Sequence, residues 1–213
     1  MRKIFVLFIF LIVGLQSEAQ FLNGIGITAG VSAANQKFYF YEPNIISRKK
    51  YVFGYNASFF AEFFSHDYAR WVSEIQYNQK GSLDKQPPDL KYRNRLQYIS
   101  WNNYLKLRYE MYSIIPYILL GPRLDYNLTQ RTTSPVITSK FLKLHLSGAV
   151  GAGLEFVSFT NFKFLVEGFY NPDLMPAYVR PGLHIKNNNF ELRVGLKYEF
   201  GSRLSCNTPV YTE

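Results

Sequence analysis

The sequence predicts an all-β protein, an eight-stranded antiparallel up-and-down transmembrane β-barrel. Two observations predict this fold class. Eight segments alternate apolar and polar residues with period two, and the connections between them alternate strictly between long and short. A transmembrane barrel has short periplasmic turns and longer extracellular loops, whereas a soluble β-sandwich gives no reason to sort its connections in this way.

The eight predicted strands follow one another without a helical stripe, a linker or a second domain. In chain order they cover residues 21–34, 53–64, 70–79, 95–110, 115–128, 142–157, 162–170 and 190–200. The connections have 18, 5, 15, 4, 13, 4 and 19 residues, so the long ones meet at one end of the barrel. Each strand is long enough for the roughly 9–11 tilted residues that cross a bilayer as a β-strand.

The first nineteen residues are predicted to be a signal peptide. Arg2 and Lys3 precede an apolar run over residues 4–13, and the stretch that ends at Ala19 fits a cleavage site between small residues. An uncleaved anchor is the alternative, although the run is short for a spanning helix. We therefore expect a signal peptide over 1–19, a barrel over 20–200 and a short periplasmic tail over 201–213. The expected location is the outer membrane of a Gram-negative cell.

Each predicted strand has one apolar and one polar face. In the closing segment "NFELRVGLKYEF" the Phe and Leu side chains fall on one side, and the Glu, Arg and Lys side chains fall on the other. We expect the apolar side to face lipid and the polar side to line a closed lumen. The predicted lumen charge network is Glu62, Glu74, Lys106, Arg108, Arg123, Asp125, Lys143, His145, Glu155, Lys163, Glu167, Glu191, Arg193, Lys197 and Glu199.

Aromatic residues at the strand ends favour the membrane barrel over a soluble one. They are Phe53, Phe63, Trp71, Tyr109, Tyr126, Phe156, Phe162, Tyr170, Tyr198 and Phe200. This distribution is typical of the aromatic girdles at both membrane interfaces. A soluble lipocalin-like ligand-binding barrel, which is the alternative, would turn its apolar side inward around a ligand.

The positive charge is concentrated in the long connections, which hold twelve basic and four acidic residues. Solvated loops are the simplest interpretation, and an extracellular rim that faces lipopolysaccharide phosphates is the functional one. The predicted anionic-lipid rim is Arg48, Lys49, Lys50, Lys91 and Arg93. We expect no nucleic acid partner because the chain is exported.

Most of the mature chain resembles the PorT-like outer-membrane β-barrel family. The family pattern of an "L-x-Y-I/L" strand that continues to "L-K-x-R/K-Y" is matched by Leu96, Tyr98, Ile99, Leu105, Lys106, Arg108 and Tyr109. The following "P-Y-x-x-x-G-P-x-L-x-Y" is matched by Pro116, Tyr117, Gly121, Pro122, Leu124 and Tyr126. "GIGITAGVSAAN" looks like the opening strand of the family, "FLVEGFYNPDL" like its seventh strand and "FELRVGLKYEF" like its closing strand. Asn102-Asn103 departs from the family, which usually has a proline there.

The resemblance implies the barrel fold and leaves the activity open. A few family members belong to protein-secretion and gliding-motility machinery, and that role attaches to those members. Phe200 matches the terminal aromatic residue that the barrel-assembly machinery commonly recognises, so this machinery is a predicted partner during insertion. The other predicted partners are outer-membrane lipid, lipopolysaccharide and an unknown protein.

Pro122 lacks the N–H of a ladder hydrogen bond, so the sequence predicts a bulge or kink there beside Gly121.

No motif for a metal, a nucleotide or a nucleophile elbow occurs, so no metal, cofactor or catalytic residue is predicted. His145 lies beside Ser147 and across from Asp125, which leaves a lipid-modifying outer-membrane enzyme as an alternative. Such enzymes need a nucleophile on the lipid side, and Ser147 falls on the lumen side. Since eight strands leave an interior that side chains just fill, we expect a plugged barrel without a water channel.

Overall fold

The computed structural model describes residues 21–41, 45–64, 66–86, 90–135, 137, 140–157 and 161–200. The predicted signal peptide and the tail over 201–213 lie outside these residues. The side chains of residues 45, 48, 85, 86, 90 and 91 also lie outside the description. Within the described part, no helix combines the length and the apolar character that a membrane crossing requires.

The chain folds into one antiparallel, up-and-down sheet that closes on itself. Its strands are β1 (Leu22–Phe40), β2 (Ile45–Arg48), β3 (Val52–Phe63), β4 (Ala69–Gln86), β5 (Leu90–Arg108), β6 (Ile114–Thr132), β7 (Leu144–Val157), β8 (Phe162–Pro172), β9 (Tyr178–Arg180) and β10 (Leu183–Glu199). Eight of these ten strands form a ring in the order β1-β3-β4-β5-β6-β7-β8-β10, and the pairing of β10 with β1 closes it. The short strands β2 and β9 add to β1 and β10 at the end where the long connections lie.

The ring strands extend further toward the long-connection end than the sequence predicts. β4 and β5 stay paired up to Gln86 and Leu90, so most residues of the predicted 15-residue connection are paired as strands. β1 and β10 likewise stay paired up to Phe40 and Leu183. The alternation fades there because the outer face becomes polar, with Lys37 on β1 and Lys186 on β10, whereas the backbone pairing that holds the ladder needs no apolar face.

The two faces of the wall differ in chemistry. β8 alternates between exposed and buried positions from Phe162 to Asn171, with Lys163 and Glu167 buried and Phe164 and Val166 exposed. The same alternation runs round the ring and leaves an outward apolar belt, which includes one residue from each ring strand. These are Ile27, Phe59, Ile75, Trp101, Leu120, Val150, Val166 and Val194, all exposed. Water-soluble β proteins bury such side chains, so this wall is apolar on the outside and polar within.

Pro122 is accommodated without the predicted bulge. On β5, Asn102 pairs with Arg123 and Leu105 with Leu120, so the register between β5 and β6 is the same on both sides of Pro122. Near Pro122 the ladder lacks only the pairs of Gly121 and Pro122, and the register shift between these two strands lies further along, at Gln97/Tyr98, where Leu128 is left unpaired. A Cβ on Gly121 would lie 1.9 Å from the backbone oxygen of Asn103. Close approach of the two backbones at a glycine therefore replaces the shift in register. The predicted bulge at Pro122 was wrong, and the kink that was its alternative stays a prediction.

Two apolar clusters lie inside the barrel. One cluster fills its middle and consists of Phe60, Val72, Tyr104, Tyr117, Leu119, Ala149, Leu165 and Phe169. The other closes the long-connection end and is called the apolar cap: Phe38, Leu96, Tyr98, Ile137, Phe141, Ala177, Tyr178, Leu183 and Ile185. Most members of the cap come from segments that the sequence assigns to loops, so the cap was not predicted.

Candidate functional site

The inward side chains of β5 show how the interior is layered along the barrel. From the short-turn end to the long-connection end they are Arg108, Lys106, Tyr104, Asn102, Ser100, Tyr98, Leu96 and Asn94, all buried. The order gives a charged layer, an aromatic layer, a second polar layer and then the apolar cap. Along one strand, inward positions two residues apart lie at successive heights on the barrel axis. Inward side chains of neighbouring strands at the same height form one layer.

The charged layer at the short-turn end is called the lower cluster. Its members are Glu62, Arg70, Lys106, Glu155, Lys163, Lys197 and Glu199, all buried. Glu62 accepts from Lys106 Nζ at 2.5 Å and from Lys197 Nζ at 3.1 Å. It also accepts from Arg70 Nη1 at 3.2 Å. Glu155 binds Lys106 and, at 2.8 Å, Lys197. Glu199 binds Lys163 and, at 2.6 Å, Arg70. Every carboxylate here is shared between cations, which is how buried charge is tolerated.

Arg193 holds the middle of the interior together. Its Nη1 donates to Glu74 at 2.8 Å and its Nη2 donates to Glu167 at 2.8 Å. The guanidinium carbon lies 4.0 Å from the ring centre of Phe169. Tyr117 adds a hydroxyl donor to Glu167 at 2.7 Å. The fork of Arg193 thus bridges two carboxylates and stacks on an aromatic ring, which an ammonium group would do less well.

The second polar layer contains a compact group called the upper cluster, formed by Lys80, Asp125, His145, Ser147 and Asp173. Lys80 Nζ lies 2.7 Å from Asp125 and 3.3 Å from Asp173. Ser147 Oγ lies 2.5 Å from Asp125 and 3.0 Å from Asp173. His145 Nε2 is 3.5 Å and 3.4 Å from the same two carboxylates. All five side chains are buried below the apolar cap.

Glu191 links the upper cluster to the rest of the interior. Its donors are Gln76, Asn78, Asn171, Asn189 and Arg123, at 2.7, 2.9, 2.8, 2.8 and 3.2 Å. Arg123 Nε also donates to Asp125 at 3.0 Å. The carboxylate is therefore surrounded by donors from four strands, β4, β6, β8 and β10, and it ties them to one another across the lumen.

The upper cluster has the residue types of a Ser–His–acid set without its hydrogen bonds. Ser147 contacts the two carboxylates, and neither ring nitrogen of His145 has a hydrogen-bond partner within the described part of the chain. A serine nucleophile needs a base within hydrogen-bond reach of its hydroxyl and room for a substrate. Neither condition is met by this buried arrangement.

The same cluster has the spacing of a metal site. Ligand atoms of Asp125, His145 and Asp173 all lie within 4.8 Å of one another. Carboxylate and imidazole ligands suit several divalent metals. However, the ammonium of Lys80 already lies against both carboxylates and supplies the balancing positive charge. The geometry favours an internal cation here, and the expectation that no metal binds stays a prediction.

The structure buries every predicted lumen residue except Lys143. That side chain is exposed, because β7 begins only at Leu144 and residues 141–143 do not follow the alternation of a strand. The backbone oxygen of Lys143 accepts from Asn127 N at 2.7 Å instead. The assignment of Lys143 to the lumen was therefore wrong.

Three buried charges were missed in the sequence: Arg70, Lys80 and Asp173. Lys80 and Asp173 had been assigned to long connections. Yet Lys80 continues the two-residue spacing of Glu74, Gln76 and Asn78. Asp173 continues that of Glu167, Phe169 and Asn171 in the same way. Extending the polar alternation past the last apolar residue of each strand would have found both.

The three rim residues whose side chains the structure describes have different surroundings. Lys49 pairs with Asp84 at 2.7 Å and lies over the ring of Phe38, whereas Lys50 and Arg93 are exposed. The side chains of Arg48 and Lys91 lie outside the description. Since Lys49 already has a carboxylate partner, it is less available to an anionic lipid than the sequence suggested.

The interior is closely filled at its middle. A cavity of about 10 Å³ is lined by Phe60, Glu62, Val72, Glu74, Tyr104, Lys106, Leu119, Glu167 and Arg193. This is about the space that one water molecule needs. The aromatic layer therefore separates the lower cluster from the polar layer above it.

Several solved structures share this architecture. The outer membrane protein OprG from Pseudomonas aeruginosa matches with a TM-score of 0.54 and 12% identity, over 85% of this chain and 98% of that one. Neisserial surface protein A matches with a TM-score of 0.45 and 15% identity, over 82% and 97%. The outer membrane protease OmpT from Escherichia coli matches with a TM-score of 0.41 and 11% identity, over 83% and 97%. The chain thus has the fold of outer-membrane β-barrels.

Neither the family models nor the curated proteins contain a match to this chain. The PorT-like resemblance accordingly stays a prediction.

Proposed function

We propose that this chain is an integral outer-membrane barrel of a Gram-negative cell, exported by a cleaved signal peptide, that neither conducts nor catalyses. Its role is to present its extracellular end, or its periplasmic tail, to lipopolysaccharide or to a partner protein. The single observation that carries the proposal is the inside-out polarity of the wall. Apolar side chains such as Phe59 and Val194 are exposed on the outside, while charged ones such as Arg123 and Arg193 are fully buried within.

Burial energetics support the membrane location. An apolar side chain that stays exposed to water lacks the hydrophobic stabilisation of burial, which is roughly 25 cal/mol for each Å² of apolar surface. A complete belt of such residues round eight strands is favourable only where the solvent is lipid. A lipocalin-like barrel would carry the belt on its inner face, so the observed polarity favours the membrane barrel over this alternative.

The PorT-like resemblance adds a class of partner. Family members in secretion and motility machinery work through contacts with other proteins, and a secretion-related contact of this chain would have the same character. The residues matched to the family include Lys106 and Arg108 in the charged interior and Tyr117 in the aromatic layer. In this proposal those residues hold the barrel rigid while its ends make the contacts.

The closed interior predicts the outcome of a conductance experiment. Purified protein reconstituted into planar bilayers is expected to give no current steps of defined size. The physical reason is the aromatic layer around Tyr104, backed on one side by the lower cluster and on the other by Glu191 and its donors. Protease protection in vesicles made from the same preparation verifies that the protein has inserted. Reproducible steps of one size from inserted protein would overturn the plugged interior.

The enzymatic alternative uses His145 and is tested with the same preparation. Lipid A recovered from the proteoliposomes is expected to keep its mass, both with the wild-type chain and with His145→Gln. The reason is that Ser147 contacts Asp125 and Asp173 rather than His145. A mass change that appears with the wild-type chain and disappears with the variant would establish the alternative.

A further inference from the structure

Three arginines gather on the outer wall at the long-connection end. Arg93 and Arg95 belong to β5 and Arg131 belongs to β6. Their neighbours Asn94 and Leu96 are buried, so the alternation of β5 directs Arg93 and Arg95 outward. Arg93 and Arg131 are exposed, and Arg95 is half-buried. Together with Gln130, Thr132 and Thr133 they line a surface groove of about 580 Å³.

The electrostatics of this group are unbalanced. Arg95 lies directly opposite Arg131 in the ladder between β5 and β6, and like charges in that position are destabilising. Within the described part of the chain, no carboxylate forms an ion pair with Arg93, Arg95 or Arg131. This contrasts with the interior, where each carboxylate of the lower cluster is shared, and with Lys49, which is paired with Asp84. An anion from outside the chain would remove the repulsion.

The height of the group on the wall indicates where that anion comes from. Ile99 and Trp101 are outward, exposed members of the apolar belt on β5. Arg95 lies four residues beyond Ile99, which is about 13 Å along a strand and roughly 9 Å along the membrane normal at the usual tilt. The polar headgroup layer begins within a few Å of the hydrocarbon boundary. Tyr126, an exposed residue of the predicted aromatic girdle, pairs with Ile99, which places Ile99 at the interface, so the arginine side chains beyond it reach the level of the outer-leaflet headgroups.

We propose that Arg93, Arg95 and Arg131 form a binding site for a phosphate group of lipopolysaccharide in the outer leaflet. The planar fork of arginine matches the oxygens of a phosphate and can bind it through two parallel hydrogen bonds. The site faces sideways into the lipid rather than up into the medium, which favours a lipid-borne phosphate over a soluble one. It shares only Arg93 with the rim predicted from the sequence. The proposal rests on the proposed outer-membrane location.

The test compares two triple variants that remove the same charge. R93Q/R95Q/R131Q empties the proposed site, and K37Q/K140Q/K186Q removes three positive charges elsewhere at the same end, none of them from the predicted rim. Binding to the detergent-solubilised full chain is measured for bisphosphorylated lipid A, dephosphorylated lipid A and inorganic phosphate. The wild type is expected to prefer bisphosphorylated over dephosphorylated lipid A, and R93Q/R95Q/R131Q to lose about tenfold or more in affinity for the former. The control variant should lose less than about threefold, because long-range attraction is screened by salt.

Three outcomes overturn the inference. Equal losses of affinity in both variants would mean that the lipid responds to the overall positive charge of this end of the barrel and not to a specific site. No preference for the phosphorylated lipid would exclude phosphate recognition, and tight binding of inorganic phosphate alone would make the site one for a soluble anion. Membrane fractionation of the same cells separates this failure from failure of the proposed function. If the wild type is absent from the outer membrane, the proposed function is wrong. If all three proteins are there and affinity does not change, only the arginine site is wrong.

Discussion

Glu62→Gln is expected to destabilise the folded barrel by about 3–5 kcal/mol, the usual effect of removing one partner from a buried ion pair. Glu62 lies within 3.2 Å of charged nitrogens of Arg70, Lys106 and Lys197, and all four side chains are buried. The amide keeps the shape of the carboxylate but leaves three cations with less negative charge. Urea unfolding in phospholipid vesicles, followed by tryptophan fluorescence, measures the free energy of unfolding.

Glu110→Gln is the matched control for this substitution. Glu110 also pairs with an arginine, Arg108 at 2.9 Å, but its side chain is 58% exposed. Because Glu110 contacts water while Arg108 is buried, the control is expected to lose more than the about 0–1 kcal/mol of a fully exposed pair, but clearly less than Glu62→Gln, which affects three buried cations. Adding Lys197→Met to Glu62→Gln should recover part of the loss, because it removes one of the orphaned charges. Equal, small effects of Glu62→Gln and Glu110→Gln would mean that the lumen is hydrated, which contradicts a closed interior.

Val194→Arg is expected to destabilise the inserted barrel by about 2–4 kcal/mol, as arginine does on the lipid face near the bilayer midplane. Val194 lies on β10 in the apolar belt, between Ala29 of β1 and Val166 of β8. Its side chain is 59% exposed. In a water-soluble barrel the same exposure would make arginine harmless. The free energy of unfolding, measured in vesicles with bilayers of two different thicknesses, gives the size of the effect.

Val179→Arg provides the control with the same change of side chain. Val179 is 58% exposed, yet it lies on β9 opposite His184, beyond the belt at the long-connection end. The control is expected to stay within about 0.5 kcal/mol of the wild type, the usual range for exposed sites. The difference between two equally exposed valines thus reports the solvent on the outside of the wall. Similar small effects at both positions would contradict the lipid-facing belt.

The two faces of each strand can be predicted from the sequence, because the alternation with period two depends only on residues that are close in the chain. In β10 the alternation alone places Glu191, Arg193 and Lys197 on one side and Val194 on the other, and the structure buries the first three. Apolar residues that contact lipid make this signal strong. The register of a closed ring follows from short turns, which leave little freedom in how neighbouring strands pair.

The ends of the strands and the partners of the charges were not predictable in the same way. Beyond the belt the outer face becomes polar, so the alternation that marks a strand weakens, although β4 and β5 continue to pair. The contact of Lys80 with Asp125 and Asp173 joins residues far apart in the chain, and only the closed ring brings them together. The apolar cap was missed because Phe141 and Tyr178 lie outside any alternating segment, where an apolar residue carries no sign of being buried.

The central claim is that the outer wall of this barrel contacts lipid, and tryptophan quenching tests it most directly. The chain has two tryptophans, Trp71 and Trp101, both exposed on the outer wall. Trp71→Phe leaves Trp101 as the only probe, within the apolar belt and 51% exposed. In vesicles of lipid brominated on the acyl chains, the fluorescence of Trp101 is expected to be strongly quenched, while acrylamide in the water has little effect. Quenching by acrylamide without quenching by brominated lipid would contradict the account.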